Sequence, residues 1–336
     1  MKKHRLIIVI AIAGLVMICG LGSYWVYQHQ LNQPMNLSET AILLIEPGDS
    51  LTAIGNKLVR RGWIEHPYFL IHAGRSRDLA GSIKTGEYEI RPGLTPLQLL
   101  SLIVSGKVIQ YSLTIPEGWT FRQIMSAVRS NQHLQHTLEG DGALATIMGK
   151  LGHPELHPEG RFFPDTYKFP AGTRDLEFLQ RSYNIMEQVL AAEWQQRAPD
   201  LPYQDPYQAL IMASIIEKET AVAEERYKIA GVFVRRLQRG IKLQTDPTVI
   251  YAVGIDFNGD ITTSDLNLDS PYNTYRYPGL PPTPIAVPGR ESIRAALQPE
   301  PGKALYFVAM DNGRHYFSET LEEHNQAVTK YQLKKP

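Results

Sequence analysis

The chain has 336 residues, of which 43% are hydrophobic, and its 34 lysines and arginines are balanced by 34 aspartates and glutamates. This length accommodates two domains with accessory segments, and the hydrophobic fraction is ordinary for a globular protein. The balanced charge gives no indication of binding to nucleic acid or to a strongly acidic partner. The single cysteine, Cys19, lies in an apolar run, so the remainder of the chain has no disulfide.

The N-terminus has the pattern of a membrane anchor. Residues 1–5 are basic, and residues 6–27 contain no charged side chain, which matches the roughly 20 residues that a helix needs to cross a bilayer. Tyr24, Trp25 and Tyr27 close this run as an aromatic belt. The pattern predicts a cytoplasmic N-terminus, one transmembrane helix over 6–27, a short linker at 28–39 and export of the rest. A cleaved signal peptide is the alternative, although the run is long for one and no small-residue cleavage site follows.

A short pattern recurs three times in the next region, which we assign to α+β modules over residues 40–137. The repeats at 45–54, 90–99 and 115–124 each read as a strand end, a turn with Pro and Gly, a Ser or Thr N-cap and an amphipathic helix. The predicted elements are strands at 41–45 and 86–90 and helices at 50–61 and 68–73. Their spacing resembles a LysM-type module, a fold associated with N-acetylglucosamine polymers; a spacer without sugar contact is the alternative.

The first repeat also contains the letters GDSL at residues 48–51, the motif of a serine esterase family. That interpretation requires a nucleophile turn in a large α/β domain and an Asp-x-x-His near the C-terminus, which this sequence lacks. A turn at Gly48 followed by an N-cap at Ser50 explains the same letters.

Longer helices and aromatic loops from residue 138 onward predict a mixed α/β domain over 138–336. The predicted fold class is therefore α+β: a transmembrane helix, a small LysM-like α+β module and this larger domain. Helices are predicted at 175–196, at 224–239 and within 286–297, and a closing hairpin at 305–317. The loop at 159–167 carries two carboxylates and three aromatic rings, which suit the apolar faces of sugars. A packed plug is the alternative for this loop.

The most informative segment is an apolar helix that approaches a Glu-Lys-Glu triplet. Asp205 suits an N-cap, Pro206 suits the first helical position, and Gln208 stands where a capping box places its return hydrogen bond. The helical spacing of apolar residues from 209 to 216 predicts one buried face with Glu217 at its edge. Glu219 lies about 200° around the helix from Glu217, at roughly 100° per residue, so the two carboxylates have different roles.

A solvated helix end is the ordinary explanation for an isolated triplet of this kind. Here, however, a second polar cluster, Gln244 to Asp246, follows one short helix later. Pro and Gly residues stiffen the loop at 270–285, which is predicted to present Asn273 and Tyr275 outward. With the apolar approach to Glu217 and the export anchor, these features favour an acid held in a cleft.

Four motifs in the same order resemble a known family. They are IEKET at 216–220, LQTDPTVIY at 243–251, YNTY at 272–275 with GLPP at 279–282, and EG at 159–160 with FPDTY at 163–167. The chain is similar in these motifs to the endolytic murein transglycosylases, the YceG-like family. That family is anchored in the inner membrane and cleaves nascent peptidoglycan between N-acetylmuramic acid and N-acetylglucosamine, leaving 1,6-anhydro-muramic acid ends.

The resemblance implies roles for particular residues. Glu217 corresponds to the catalytic acid/base, with Glu219 in support. The positions implied to bind substrate are Asp165, Tyr167, Glu219, Gln244, Thr245, Asp246, Tyr251, Asn273 and Tyr275. Arg161 stands where the motif leads us to expect an apolar or aromatic side chain. The implied partners are peptidoglycan glycan strands, the synthases of new glycan, and the membrane through residues 6–27, with no nucleic acid, metal or diffusible cofactor.

The chemistry agrees with a single convincing acid. Ordinary glycosidases need a second carboxylate as nucleophile or base, whereas a lytic transglycosylase uses the C6 hydroxyl of the sugar itself. This interpretation predicts that Glu217→Gln abolishes release of anhydro ends while the fold stays intact. Two alternatives remain: a hydrolase that pairs Glu217 with Asp246 or Asp165, and a non-catalytic envelope scaffold. The ten histidines show no metal-ligand spacing, and most of them are expected at the surface.

Overall fold

The computed structural model describes residues 2–138, 143–310 and 313–333, with only the backbone described for residues 2–5 and 143–145. Met1 and the side chains of the predicted basic segment 1–5 therefore lie outside the described residues, as do parts of the predicted domain 138–336. The chain divides into two compact units. Unit 1 comprises Met1–Tyr111 and Phe169–Gly172, and unit 2 comprises Ser112–Lys168 and Thr173–Pro336. Helices and strands occur together in both, which confirms the α+β class.

Unit 1 is built around an antiparallel pair of strands with helices between them. Its elements are α1 (Lys2–Asn32), β1 (Ala41–Ile45), α2 (Leu51–Arg60), α3 (Tyr68–Ser76), β2 (Gly86–Ile90) and α4 (Pro96–Ser105). Strands β1 and β2 pair from Ala41 opposite Ile90 to Ile45 opposite Gly86. Alternate residues of β1 point inward, so Leu43 and Ile45 are buried, as the period of a half-buried strand requires. The strands and helices predicted here are confirmed, while the LysM-like assignment stays a prediction.

The apolar helix α1 continues beyond the predicted span. The part from Leu6 to Asn32 is long and apolar enough to cross a membrane, and its apolar window is not buried by the rest of the chain. Its last turn nevertheless packs into the core of unit 1, where Leu31 is fully buried. Met35 joins the same core, and its backbone N–H donates to the carbonyl of Leu94. Residues 28–39, expected as a linker, thus contribute packed side chains.

The three repeated turns have the predicted N-caps. The hydroxyls of Ser50, Thr95 and Thr120 each accept a hydrogen bond from the backbone N–H three residues later. In each repeat the preceding glycine has a positive φ, as at Gly48 with φ 89°, a conformation that glycine adopts without steric cost. Ser50 is therefore a helix cap, and the esterase motif is explained by local structure.

Unit 2 contains the remaining elements, and two of the unit boundaries fall within strands, β3 and β5. The elements are β3 (Gln110–Thr114), α5 (Phe121–Ser130), β4 (Leu134–Gln135), α6 (Ala143–Lys150), β5 (Thr166–Pro170), β6 (Thr173–Arg174), α7 (Asp175–Gln195), α8 (Pro206–Glu219), α9 (Arg226–Gln238), α10 (Asp246–Val253), α11 (Thr263–Leu266), α12 (Arg290–Leu297), β7 (Tyr306–Ala309), β8 (His315–Ser318) and α13 (Leu321–Tyr331). Strands β7 and β8 form the predicted antiparallel hairpin. Helix α9 ends before Gly240, which has a positive φ of 67° and is the predicted C′ residue.

Helix α8 is the centre of unit 2. It packs against α7, α9, α10 and α12, and every residue from Ala209 to Ile216 is buried. The prediction of a single buried face is therefore wrong, since neighbouring helices cover the whole circumference. The cap at Asp205 is confirmed, because its carboxylate accepts from the N–H of Gln208. The capping box is not formed, because the side chain of Gln208 accepts from the N–H of Gln204 instead.

Candidate active site

The two glutamates at the end of α8 have different surroundings. Glu217 accepts a hydrogen bond from the backbone N–H of Gly289 through Oε2 at 3.0 Å, and its Oε1 lies 3.8 Å from Nη2 of Arg226. Only 7% of the Glu217 side chain is exposed. Gly289 is the N-cap of α12, so the carboxylate of Glu217 lies at a helix N-terminus, where negative charge is stabilised. Glu217 therefore joins the end of α8 to the start of α12.

A third charged group approaches the same place. Glu117 lies 3.9 Å from Arg226, and its pKa is raised by burial and by the charge of Glu217, with Arg226 opposing both. A side chain at position 289 would meet the carboxylate of Glu117, since a Cβ built there would lie 1.9 Å from its Oε1. Position 289 is therefore restricted to glycine while Glu117 keeps this place. Together, these contacts describe an ion-pair cluster that holds Glu217.

Glu219 faces a cavity instead. This first cavity has a volume of about 530 Å³ and is lined by Glu219, Gln244, Asp246 and Tyr275 among others. The carboxylate of Glu219 accepts a hydrogen bond from the hydroxyl of Thr245. Burial raises the pKa of Glu219 to about 7, with the charge of Asp246 acting in the same direction, while the Thr245 bond and Arg236 oppose them. Such a carboxyl exchanges protons near neutral pH, as general acid–base catalysis requires.

The residues that follow α9 are held in place by the loop around Thr274. The N–H of Gln244 donates to the carbonyl of Thr274, and the N–H of Thr245 donates to its hydroxyl at 3.1 Å. The Thr248 hydroxyl completes the contact, 2.8 Å from that of Thr274. Gln244 has a φ of 50°, in the left-handed region that non-glycine residues avoid. Strained backbone of this kind is concentrated at functional sites, and here it places an exposed Gln244 side chain at the rim of the cavity.

Asn273 organises this loop from inside. It is fully buried, and its amide donates to the carbonyls of Leu266 and Leu268 while its Oδ1 accepts from the N–H of Tyr275. The prediction that Asn273 points outward is therefore wrong, because these three backbone groups need a buried partner. Tyr275 does reach the cavity, where its hydroxyl donates to Oδ1 of Asp246 at 2.5 Å. Asn273 thus acts on the cavity through Tyr275.

Tyr251 lies in a second cavity, of about 1040 Å³, which also contains Glu159 and Lys218. Its hydroxyl donates to Oε2 of Glu159 at 3.0 Å, and Oε1 of Glu159 accepts from the N–H of Phe121 at the start of α5. Burial raises the pKa of Glu159 to about 7, although both hydrogen bonds lower it. The structure therefore separates Tyr251 from the residues around Glu219.

Two further predicted positions line neither cavity. Tyr167 is buried, and its hydroxyl donates to the carbonyl of Phe163. Asp165 is exposed, and its carboxylate accepts from the N–H of Thr166. Arg161, where an apolar or aromatic residue was expected, is buried with its guanidinium 4.3 Å from the ring centroid of Tyr207. The loop at 159–167 therefore contributes its aromatic groups to packing.

A carboxylate–histidine pair was missed by sequence reasoning. His315 lines the first cavity, and its Nδ1 lies 2.7 Å from Oε2 of Glu225. Oε1 of Glu225 accepts from the backbone N–H of the same histidine at 3.0 Å. Both side chains are mostly buried, so His315 is not one of the surface histidines. His324 lines the same cavity, and burial lowers its pKa. No local spacing links residues 225 and 315, because Glu225 immediately precedes α9 and His315 begins β8.

Across the described ranges, 2–138, 143–310 and 313–333, no cluster of three or more histidine, cysteine or acidic residues could hold a metal ion. What the first cavity does offer is a carboxyl with a pKa near neutrality, a second carboxylate, and hydroxyl, amide and imidazole groups. This set is typical of enzymes that use general acid–base catalysis on a polar substrate.

The comparisons with known proteins agree with the motif pattern. The model of the YceG-like family matches residues 43–330, so the chain belongs to the YceG-like family. A relative named endolytic murein transglycosylase, from Bacillus subtilis, is 31% identical over 93% of this chain and 91% of its own length. A Streptococcus pneumoniae protein of the same name is 26% identical over 98% of this chain and 66% of its own length. A crystal structure of a YceG-like protein from Listeria monocytogenes matches 86% of this chain and 99% of its own, with a TM-score of 0.56 and 32% identity.

Proposed function

We propose that this protein is a membrane-anchored endolytic transglycosylase that cleaves the bond between N-acetylmuramic acid and N-acetylglucosamine in nascent peptidoglycan. The observation that carries the proposal is the first cavity, where Gln244 and Asp246 of one motif and Tyr275 of another meet Glu219 of a third. The names of the relatives from Bacillus and Streptococcus support the substrate class.

The geometry favours Glu219 as the acid/base, whereas the motif resemblance favours Glu217. Glu219 shares the cavity with the other motif residues and has a pKa of about 7. Glu217 is held by Gly289 and Arg226, contacts that suit a structural link between helices. We therefore propose Glu219 as the proton donor and Glu217 as a positioning residue; the sequence-based assignment of Glu217 remains the competing prediction.

The proposed reaction needs a single acid/base. The protonated carboxyl of Glu219 donates its proton to the glycosidic oxygen as the C1–O bond of the muramic acid breaks. The C6 hydroxyl of the same sugar then attacks C1, forming the C1–O6 bond of the anhydro ring, and its proton returns to the carboxylate. Water is not consumed, and the enzyme ends in its initial protonation state. Tyr275 and Asp246 are proposed to hydrogen-bond the sugar hydroxyls, and the support is that both line the cavity and are joined by a hydrogen bond.

A two-carboxylate hydrolase is the second candidate, because Asp246 lies in the same cavity as Glu219. Hydrolysis uses water as the nucleophile and gives reducing ends. Digestion of isolated peptidoglycan, followed by mass spectrometry, distinguishes the two. Products lighter by one water support the transglycosylase, and reducing ends alone would establish the hydrolase.

For localisation we propose a single pass through the inner membrane by residues 6–27, with a cytoplasmic N-terminus and both the modules at 40–137 and the catalytic domain at 138–336 in the periplasm. The support is the exposed apolar helix that begins at Leu6. Protease added to spheroplasts should digest unit 2 but spare an epitope tag placed before residue 1. Glycan synthases are proposed as partners, and crosslinking from α1 in membranes tests this.

A further inference from the structure

Helix α3 lies beside α1 where that helix leaves its apolar run. The ring of Tyr27 meets the ring of His72 edge-on, with centroids 5.3 Å apart, and its hydroxyl lies 3.4 Å from Nδ1 of His72. Phe69 packs near the same tyrosine, with centroids 6.3 Å apart. Tyr27, predicted as part of an interfacial aromatic belt, is therefore partly covered by α3. The first turns of α3 are fixed against the end of the apolar run.

A groove of about 630 Å³ separates α1 from the start of α3 below this contact. Its α1 wall consists of Cys19, Gly22, Ser23 and Val26, together with Tyr27, and its α3 wall consists of Tyr68, Phe69 and His72. Tyr68 is 64% exposed although it is a large aromatic residue. Tyr68 thus lies at the same height along the axis of α1 as residues 19–27, which belong to the apolar run.

The length of α1 locates this level relative to a bilayer. A hydrocarbon core of about 30 Å requires about 20 helical residues at roughly 1.5 Å each. A span that begins at Leu6 therefore reaches the opposite boundary near Trp25. Residues 22–26 and the facing Tyr68 then fall at the junction of hydrocarbon and headgroups. Tyrosine is enriched at that depth because its ring is apolar and its hydroxyl is polar.

We propose that the first turn of α3, led by Tyr68, docks into the interfacial layer of the membrane, with lipid occupying the groove between α1 and α3. The proposal rests on the membrane anchor of the proposed function. It makes the membrane contact of this chain a surface of unit 1 as well as a single helix. Tyr68 then forms, with Tyr24 and Trp25, an aromatic group at one membrane boundary.

Site-directed spin labelling of the full-length chain in lipid nanodiscs tests this. In a Cys19→Ser background, single cysteines replace Tyr68, Ile42 or Val16, and each carries a nitroxide. Ile42 is the matched control, since it is 48% exposed on β1 of the same unit and lies outside the groove. Val16 reports on the span itself, since it is 66% exposed near the middle of α1. Discs of phosphatidylcholine and phosphatidylglycerol contain no protein partner.

The measurement is the ratio of collisions with oxygen, which enriches in lipid, to collisions with a water-soluble nickel chelate. We expect the ratio to be high at Val16, intermediate and lipid-like at Tyr68, and low at Ile42. A high ratio at Val16 with equal, low ratios at Tyr68 and Ile42 overturns the docking, while the membrane anchor stands. The same result is expected if the natural occupant of the groove is a protein instead of lipid. A low ratio at Val16 overturns the anchor and the docking together.

Discussion

Exchange of each α8 glutamate for glutamine separates the two candidate acids. Glu219→Gln removes the only carboxyl of the pair that lines the first cavity. With a pKa of about 7, that carboxyl is close to half protonated at neutral pH. A positioned general acid contributes about 10²–10⁴-fold to a rate, so the Gln variant should lose kcat by about that factor. Its folding should be preserved, because the glutamine oxygen still accepts from Thr245.

Glu217→Gln is the matched variant two residues away. Glutamine can still accept from the N–H of Gly289, but its contact with Arg226 at 3.8 Å no longer joins opposite charges. Loss of a charged partner in a mostly buried site costs about 1–3 kcal/mol. We therefore expect a lower Tm and a small loss of turnover. The first observable is kcat/KM for release of anhydro ends from isolated peptidoglycan, measured by chromatography with mass spectrometry, and the second is thermal unfolding by circular dichroism.

If Glu219→Gln releases anhydro ends at nearly the wild-type rate, while Glu217→Gln is inactive and melts at the wild-type temperature, the catalytic acid is Glu217. The cavity around Glu219 would then not be the reaction site.

Three further variants test the surroundings of the cavities. The pKa of Glu159 is raised from 4.5 to about 7, so the folded state holds its proton more tightly than the unfolded state. The stability that Glu159 contributes is therefore complete below pH 4.5 and falls by about 3 kcal/mol as the pH rises to about 7. Glu159→Gln should remove this share of the pH dependence and leave the share of Glu219, whose pKa is also about 7. Urea titrations at pH 5 and 8 measure the difference in stability, and a difference equal to that of the wild type contradicts the prediction. Asn273→Asp removes both donors to backbone carbonyls, so it should lower stability by about 2–4 kcal/mol and turnover with it; wild-type stability would refute the role of Asn273. Gln244→Gly should raise the free energy of unfolding by up to about 1 kcal/mol, because glycine relieves the positive φ, and it should reduce kcat/KM. Gln244→Ala is the control, since alanine keeps the strained backbone. Equal Tm values for the two variants would contradict the prediction that Gln244 is strained.

The parts of the fold that could be predicted from the sequence are those fixed by hydrogen bonds between residues close together in the chain. Ser50, Thr95 and Asp205 cap their helices because the hydrogen bond they accept comes from a residue three positions away. The full burial of α8 could not be predicted in the same way. Its polar-side positions, such as Ser214, are covered because α12 packs there, and the N–H of Ile285 donates to the Ser214 hydroxyl across 71 positions.

In the candidate site, too, local motifs could be predicted from the sequence, and contacts between distant residues could not. Motif spacing selected Gln244, Asp246 and Tyr275, and the fold brings them to one cavity. Spacing alone could not decide which glutamate joins them, because that depends on where the loop before α10 crosses the end of α8. It also could not find His315, whose partner Glu225 is 90 positions away. Asn273 was found for the right loop but with the wrong direction, since a buried amide and a presented amide look alike in sequence.

The burial of Leu31 and Met35 has a consequence for release of the chain from the proposed membrane anchor. A cut anywhere between residues 33 and 39 would remove Leu31 from the core of unit 1, and loss of a buried leucine side chain costs about 2–5 kcal/mol. Shedding by a protease at that place would therefore loosen unit 1 as it freed the chain. A soluble form that keeps this core must begin after the apolar run ends at residue 27 and before Leu31, so the position of the cut decides whether detachment also disturbs folding.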